Sequence, residues 1–145
     1  MNSTHGIHLP SVLITGTSSD AHTWNLIFLQ LLLEEWGHDV INLGPCAPDE
    51  LVLRSALEQR PDLLVVSSVN GHGHQDGLRL VRTLRGRPQL AATTMVIGGK
   101  LGTDGLRDLG QLRRLLDAGY DRVFDDGDVA SFHALVSRLP VRAAS

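Results

Sequence analysis

Short apolar runs alternate along this chain with longer stretches whose apolar residues recur at helical spacing. The runs at 11–15, 38–43, 62–67, 93–97 and 121–124 read as strands. The third, Asp62-Leu-Leu-Val-Val-Ser67, is nearly all apolar, as a central parallel strand covered on both faces should be. The stretches at 24–36, 48–60, 75–85, 109–118 and 129–139 read as helices. The first is so dense in apolar residues that it predicts a buried helix, closed by Gly37. In the second, Pro48 falls in the first turn, with Asp49 and Glu50 at the positive end of the helix dipole. Gly119 closes the fourth.

Strand–helix units repeated in this way predict an α/β fold: one flavodoxin-like (Rossmann-like), doubly wound parallel sheet of five strands in the order 2-1-3-4-5. In that order the chain reverses direction between strands 1 and 3, and ligands bind outside the carboxyl ends of the strands at that crevice. The two least ordinary loops, 17–25 and 67–76, follow strands 1 and 3, and the pair Gly98-Gly99 follows strand 4. The topology therefore gathers all three at one end of the sheet.

Composition narrows the classes. The chain has 145 residues, 42% of them hydrophobic and 20% charged, the balance of one ordinary globular domain. A net charge of −3 with no basic run argues against a nucleic-acid partner. No stretch approaches the ~20 apolar residues of a membrane span, and residues 1–10 lack the pattern of a secretory signal. A single cysteine, Cys46, excludes an intrachain disulfide and a cysteine-built zinc site, and fits a reducing cytoplasm. It reads as a small packing residue rather than a nucleophile. There is no internal repeat, low-complexity tract or linker.

The candidate chemistry begins with Asp20 and His22. A carboxylate two residues before a histidine can accept one ring N–H, fix the tautomer and leave the other nitrogen to a metal. The same aspartate can instead cap the helix that begins near Thr23, leaving His22 as a solvated loop residue. Ser67 and Ser68 either hydrogen-bond a ligand held in the sheet or simply end a strand. Gly71 and Gly73 let backbone approach a large ligand, or turn a loop. Gly98-Gly99 makes room at the rim, or forms an ordinary turn. His72 and His74, near Asp76, read as exposed loop or interface residues rather than a second metal site. No Walker A sequence or G-x-G-x-x-G fingerprint follows the first strand.

Together these residues resemble the cobalamin-binding domain family, whose signature is D-x-H-x-x-G, then S-x-L, then G-G, after strands 1, 3 and 4. Here the pieces are Asp20-Ala-His22-Thr-Trp-Asn25, Ser67-Ser-Val69 and Gly98-Gly99, with Asn25 where the signature has glycine and Val69 where it has leucine. Across about 11–139 the chain also resembles the small subunits of glutamate mutase. That likeness is carried also by 40–44, 66–73, 97–99 and 119–124.

The resemblance implies a cobalamin-binding domain over 10–140, with loose termini at 1–9 and 141–145. It implies adenosylcobalamin as cofactor, His22 as the axial ligand to cobalt, and Asp20 orienting it. The cofactor tail would enter a slot between strands 1 and 3. Its contacts would come from Thr17, Ser18, Ser19, Ala21, Thr23 and Asn25, from Ser67, Ser68, Val69, Asn70 and Gly71, and from Gly98 and Gly99. No catalytic residue beyond the cobalt ligand is implied on this chain. A separate large catalytic subunit would bind the amino acid, with two small and two large subunits together interconverting glutamate and 3-methylaspartate by a radical route. The rival readings are a corrinoid methyl carrier serving a methyltransferase, and a B12-binding sensor or interaction module without catalysis.

Overall fold

The apolar runs become the strands of one parallel sheet, and the helix-spaced stretches become the layers that cover it. The structure, a computed structural model, describes residues 7–99, 109–124, 127–140 and 142–143; residues 1–6, 141, 144 and 145 of the expected loose termini lie outside these. The elements run β1 (Ile7–His8), β2 (Val12–Thr15), α1 (Trp24–Glu35), β3 (Val40–Asn42), α2 (Asp49–Gln59), β4 (Leu63–Ser68), α3 (Gly73–Arg85), β5 (Thr94–Gly99), α4 (Leu109–Ala118), β6 (Arg122–Phe124), α5 (Val129–Ser137) and β7 (Arg142–Ala143). The main sheet has the order β3-β2-β4-β5-β6, every pair parallel. Counted within that sheet the order is 2-1-3-4-5, as expected. β1 and β7 form a separate antiparallel pair that brings the two ends of the described chain together.

Alternation along the strands divides the core into two layers. Leu13, Leu64, Val66, Met95 and Ile97 pack with residues of α2, α3 and α4. Val12, Ile14, Leu63, Val65, Val96 and Phe124 pack with Leu26 and Leu33 of α1 and Phe132 and Val136 of α5. β4 is buried at every position, which is what its unbroken apolar run requires. Each such fully buried aliphatic side chain contributes about 1.5–3 kcal/mol relative to exposure. α1 and α4 end in the same motif. The N–H groups of Gly37 and His38 return to Glu34 and Leu33, and those of Gly119 and Tyr120 to Leu116 and Leu115. Gly37 and Gly119 both have positive φ, the conformation that this helix ending requires.

Four local expectations are corrected. Pro48 is the N-cap of α2 in extended conformation, one position before the first turn. α3 begins at Gly73, so His74 lies on the helix instead of the loop. β5 runs through Gly98 and Gly99, so the glycine pair belongs to the strand. α1 is not buried on all sides: Trp24, Phe28 and Leu31 are exposed, while Leu26 and Leu33 face the sheet.

Candidate cofactor-binding site

Asp20 sits at the carboxyl end of β2 on a tight turn closed by its own N–H on the Thr17 carbonyl. The residue is 1% exposed, and its carboxylate holds two loops together. Oδ2 accepts from Ser68 Oγ at 3.0 Å, Val69 N–H at 2.7 Å and Asn70 N–H at 3.2 Å. Oδ1 accepts from the His22 backbone N–H at 3.0 Å and stands 2.6 Å from His22 Nδ1. Burial alone would raise the carboxyl pKa. The N–H groups of His22 and Val69, with the side chains of His22 and Ser68, outweigh it and hold the carboxyl below the ordinary aspartate value of 3.8. An ionised carboxylate only accepts, so His22 Nδ1 carries a proton, and in the neutral ring Nε2 is the nitrogen left with a lone pair. Nε2 has no hydrogen-bond partner among the described residues, and the ring is 60% exposed.

The helix-cap alternative for Asp20 falls. Thr23 is the N-cap of α1 and no side chain caps that end; the Asp20 carboxylate is spent on His22 and on the loop after β4.

Beside this pair lies a cavity of about 350 Å³ between α1 and α5, over β4, β5 and β6. Its origin is a row across three strands. Ser67, Gly98 and Phe124 are register partners on the face that carries Val65 and Val96. The middle position has no side chain, and a Cβ there would stand 3.3 Å from Phe124 Cβ. Gly98 therefore opens the space. Gly99 serves a different need: its φ is +104°, and a Cβ would lie 2.2 Å from the Ser68 carbonyl oxygen, so only glycine fits. The remaining wall is apolar, with Phe28, Leu29, Val96 and Phe132 prominent, and Trp24 stands at the same cavity, 81% exposed. Asn25 donates from Nδ2 to Ser67 Oγ at 2.9 Å. Val69 joins the two halves of the site, with its N–H on Asp20 and its residue in the cavity wall.

A second network braces the Asp20 loop from outside. Ser19 Oγ donates to Asp76 Oδ2, and Asn70 Nδ2 donates to the Ser19 carbonyl at 3.1 Å. Arg79 reaches Asp76 Oδ1 at 3.2 Å, Ser18 Oγ at 2.9 Å and Asp49 Oδ2 at 2.7 Å. The hydrogen bond to Asp49 is the main cause of an Arg79 pKa above the usual guanidinium value.

The proposed contact residues thus fall into groups. Asn25, Ser67, Val69, Gly98 and Gly99 line the cavity. Thr17, Ser68 and Asn70 cluster on or next to Asp20, Thr17 Oγ1 reaching Ser68 Oγ at 3.4 Å. Ser18 and Ser19 are hydrogen-bonded to Arg79 and Asp76 and do not line the cavity. Ala21 and Thr23 are exposed, and Gly71 takes a positive φ in the loop before α3. The cavity lies over the third, fourth and fifth strands, displaced from the expected slot between strands 1 and 3. Cys46 is exposed, not packed; its N–H donates to the Asp20 carbonyl. Asp76 is buried, and no cluster of three or more His, Cys, Asp or Glu side chains placed to hold a metal ion occurs among the described residues. The reading of the sequence missed Arg79 and the aromatic walls Phe28, Phe124 and Phe132. The surplus of apolar residues in α1, more than one sheet-facing stripe needs, was the available signal for the first of those walls.

A histidine with a free, oriented Nε2 beside a largely apolar slot, at the carboxyl ends of a parallel sheet, defines a cofactor-binding domain. The B12 binding domain family model matches residues 10–132, and the chain belongs to that family. It is 30% identical over 116 residues to the glutamate mutase sigma subunit of Fusobacterium nucleatum, covering 80% of this chain and 85% of that one. It is 34% identical over 120 residues to the sigma subunit of Halobacterium salinarum, covering 79% and 76%. In fold it matches a cobalamin-binding protein from Desulfitobacterium hafniense, with TM-score 0.72 and 17% identity over 90% of this chain and 60% of that one. Among the described residues no helix is long and apolar enough to cross a membrane.

The donor set suits a corrinoid. Nε2 of a neutral imidazole is a good ligand for a first-row metal, and the slot falls within the ~300–1,000 Å³ of small-molecule sites.

Proposed function

We propose that this chain is the cobalamin-binding small subunit of an adenosylcobalamin-dependent mutase that interconverts glutamate and 3-methylaspartate. The observation that carries the reading is the Asp20–His22 pair, with Nε2 free, beside the slot that Gly98 opens. His22 would be the axial ligand to cobalt. Asp20 keeps the proton on Nδ1, raises the basicity of Nε2 and fixes the ring plane. The slot would take the nucleotide tail, detached from cobalt, and exclude water from it. When bound, adenosylcobalamin supplies a cobalt–carbon bond weak enough to start a radical rearrangement.

The substrate is held elsewhere. Among the described residues lining the slot there is no lysine or arginine to clamp two carboxylates, and Asp128 is acidic. A large catalytic subunit would bind the amino acid and cover the upper face of the cofactor, keeping a radical from water, in an assembly of two small and two large subunits. The sigma-subunit relatives support this division of labour.

The test is His22→Ala combined with a glutamate mutase large subunit. The variant is expected to fold, because the ring is mostly exposed, and to lose mutase activity together with histidine coordination in the absorption spectrum. Full activity in the variant, or no activity from the wild-type pair, refutes the proposal.

A further inference from the structure

Asn25 occupies a position where the family signature has glycine, and the structure shows what the side chain does there. Ser67 is the last residue of β4 that faces the slot, and its hydroxyl is engaged by Asn25 Nδ2 at 2.9 Å. The other amide atom, Oδ1, is shut off from solvent and has no hydrogen-bond partner among the described residues. Asn25 and Ser67 both line the slot, whose walls are otherwise largely apolar. A buried carbonyl oxygen without a donor is costly, and the more so where surrounding groups are apolar. A ligand seated in the slot that brings an N–H or O–H would satisfy this oxygen once the amide turns to meet it.

We infer that Asn25 is a specificity-determining residue of the slot, selecting corrinoids whose tail base carries an N–H donor, such as an aminopurine. The inference rests on the corrinoid reading above. A dimethylbenzimidazole joined to its sugar through one ring nitrogen has no N–H, and its second ring nitrogen only accepts. An aminopurine offers an exocyclic amine that can donate to Oδ1. Sugar and phosphate are common to both tails, so a difference between them reports the base alone. With glycine at this position the Ser67 hydroxyl would be free and the discrimination absent.

The experiment measures dissociation constants of the cobalt(II) forms of an adenine-based and a dimethylbenzimidazole-based cobamide for the wild-type chain, Asn25→Gly and Asn25→Ala. Electron paramagnetic resonance identifies histidine-coordinated complexes, and thermal melting confirms that each variant is folded. The two bases leave cobalt at different cost in solution, so the quantity read is the preference ratio of wild type divided by that of each variant, in which this cost cancels. One hydrogen bond regained in an apolar wall is expected to make that quotient about five- to tenfold in favour of the adenine form. A quotient of one, or a reversed preference, overturns the role of Asn25 while leaving the corrinoid reading intact. Failure of wild type to bind either cobamide through a histidine overturns the corrinoid reading and this inference with it.

Discussion

Asp20→Asn is the perturbation that separates the two tasks of the carboxylate. In the native loop Oδ1 faces the backbone N–H and Nδ1 of His22, and Oδ2 faces Ser68 Oγ and the N–H groups of Val69 and Asn70. An amide has one acceptor oxygen, so its NH2 group must oppose one of these sets of donors. If it replaces Oδ2, two partly buried backbone N–H groups lose their acceptor. At about 1–1.5 kcal/mol for each incompletely buried donor, the loss is about 2–3 kcal/mol. For a domain of this size that lowers Tm by roughly 5–10 °C. The carboxyl pKa is held below 3.8, so the folded state binds this proton less readily than the unfolded chain. Its contribution is complete above about pH 4 and fades as pH falls through the folded value. The amide of the variant cannot titrate there. Melting curves followed by circular dichroism from about pH 7 to about pH 3 should therefore show a gap that narrows with acid. Equal Tm values at neutral pH, or a gap that stays constant to the acid limit, would refute the reasoning.

Other substitutions probe the slot and its supports. Gly98→Leu should leave the chain folded but weaken corrinoid binding by about tenfold or more, because its side chain occupies the gap between Ser67 and Phe124; titration monitored by absorbance decides it, and unchanged affinity would show that the slot is not used. Gly99→Ala should cost at least about 1–3 kcal/mol in urea unfolding, since it combines a positive φ with a Cβ against the Ser68 carbonyl. Arg79→Ala should change stability by less than about 1 kcal/mol, because the side chain is half-exposed. It should nevertheless speed amide hydrogen exchange at 18–20, where the Arg79 bridge to Ser18 is lost; unchanged exchange would show that the bridge does not brace the loop.

The sheet was readable because its signals are local and redundant. The apolar run at 63–66, short, rich in valine and leucine and bounded by Asp62 and Ser67, reads as a strand covered on both faces, and its neighbours follow from right-handed connections of ordinary length. The pairing of Asp20 with His22 was readable as one of two options, since spacing cannot tell a helix cap from a histidine anchor. What settles it is long-range: Ser68, Val69 and Asn70 reach the same carboxylate from a different strand end. The slot was harder to locate. It depends on the register that sets Ser67, Gly98 and Phe124 side by side, and register is not written in any single segment. Arg79 was invisible for a similar reason. A lone arginine on an amphipathic helix reads as solvated; Asp76 is its neighbour on the same helix, but Asp49 and Ser18 come from α2 and from the loop after β2. The exposure of Trp24, Phe28 and Leu31 also ran against expectation, because a densely apolar helix has more faces than the sheet can cover.

The most direct test of the account is the electron paramagnetic resonance spectrum of cobalt(II) cobalamin bound to the chain, recorded with natural-abundance and nitrogen-15 histidine. The account predicts that the superhyperfine splitting changes with the label and that the label effect disappears in His22→Ala. A splitting that is the same with either histidine, in the free chain and again with a large subunit present, would contradict it.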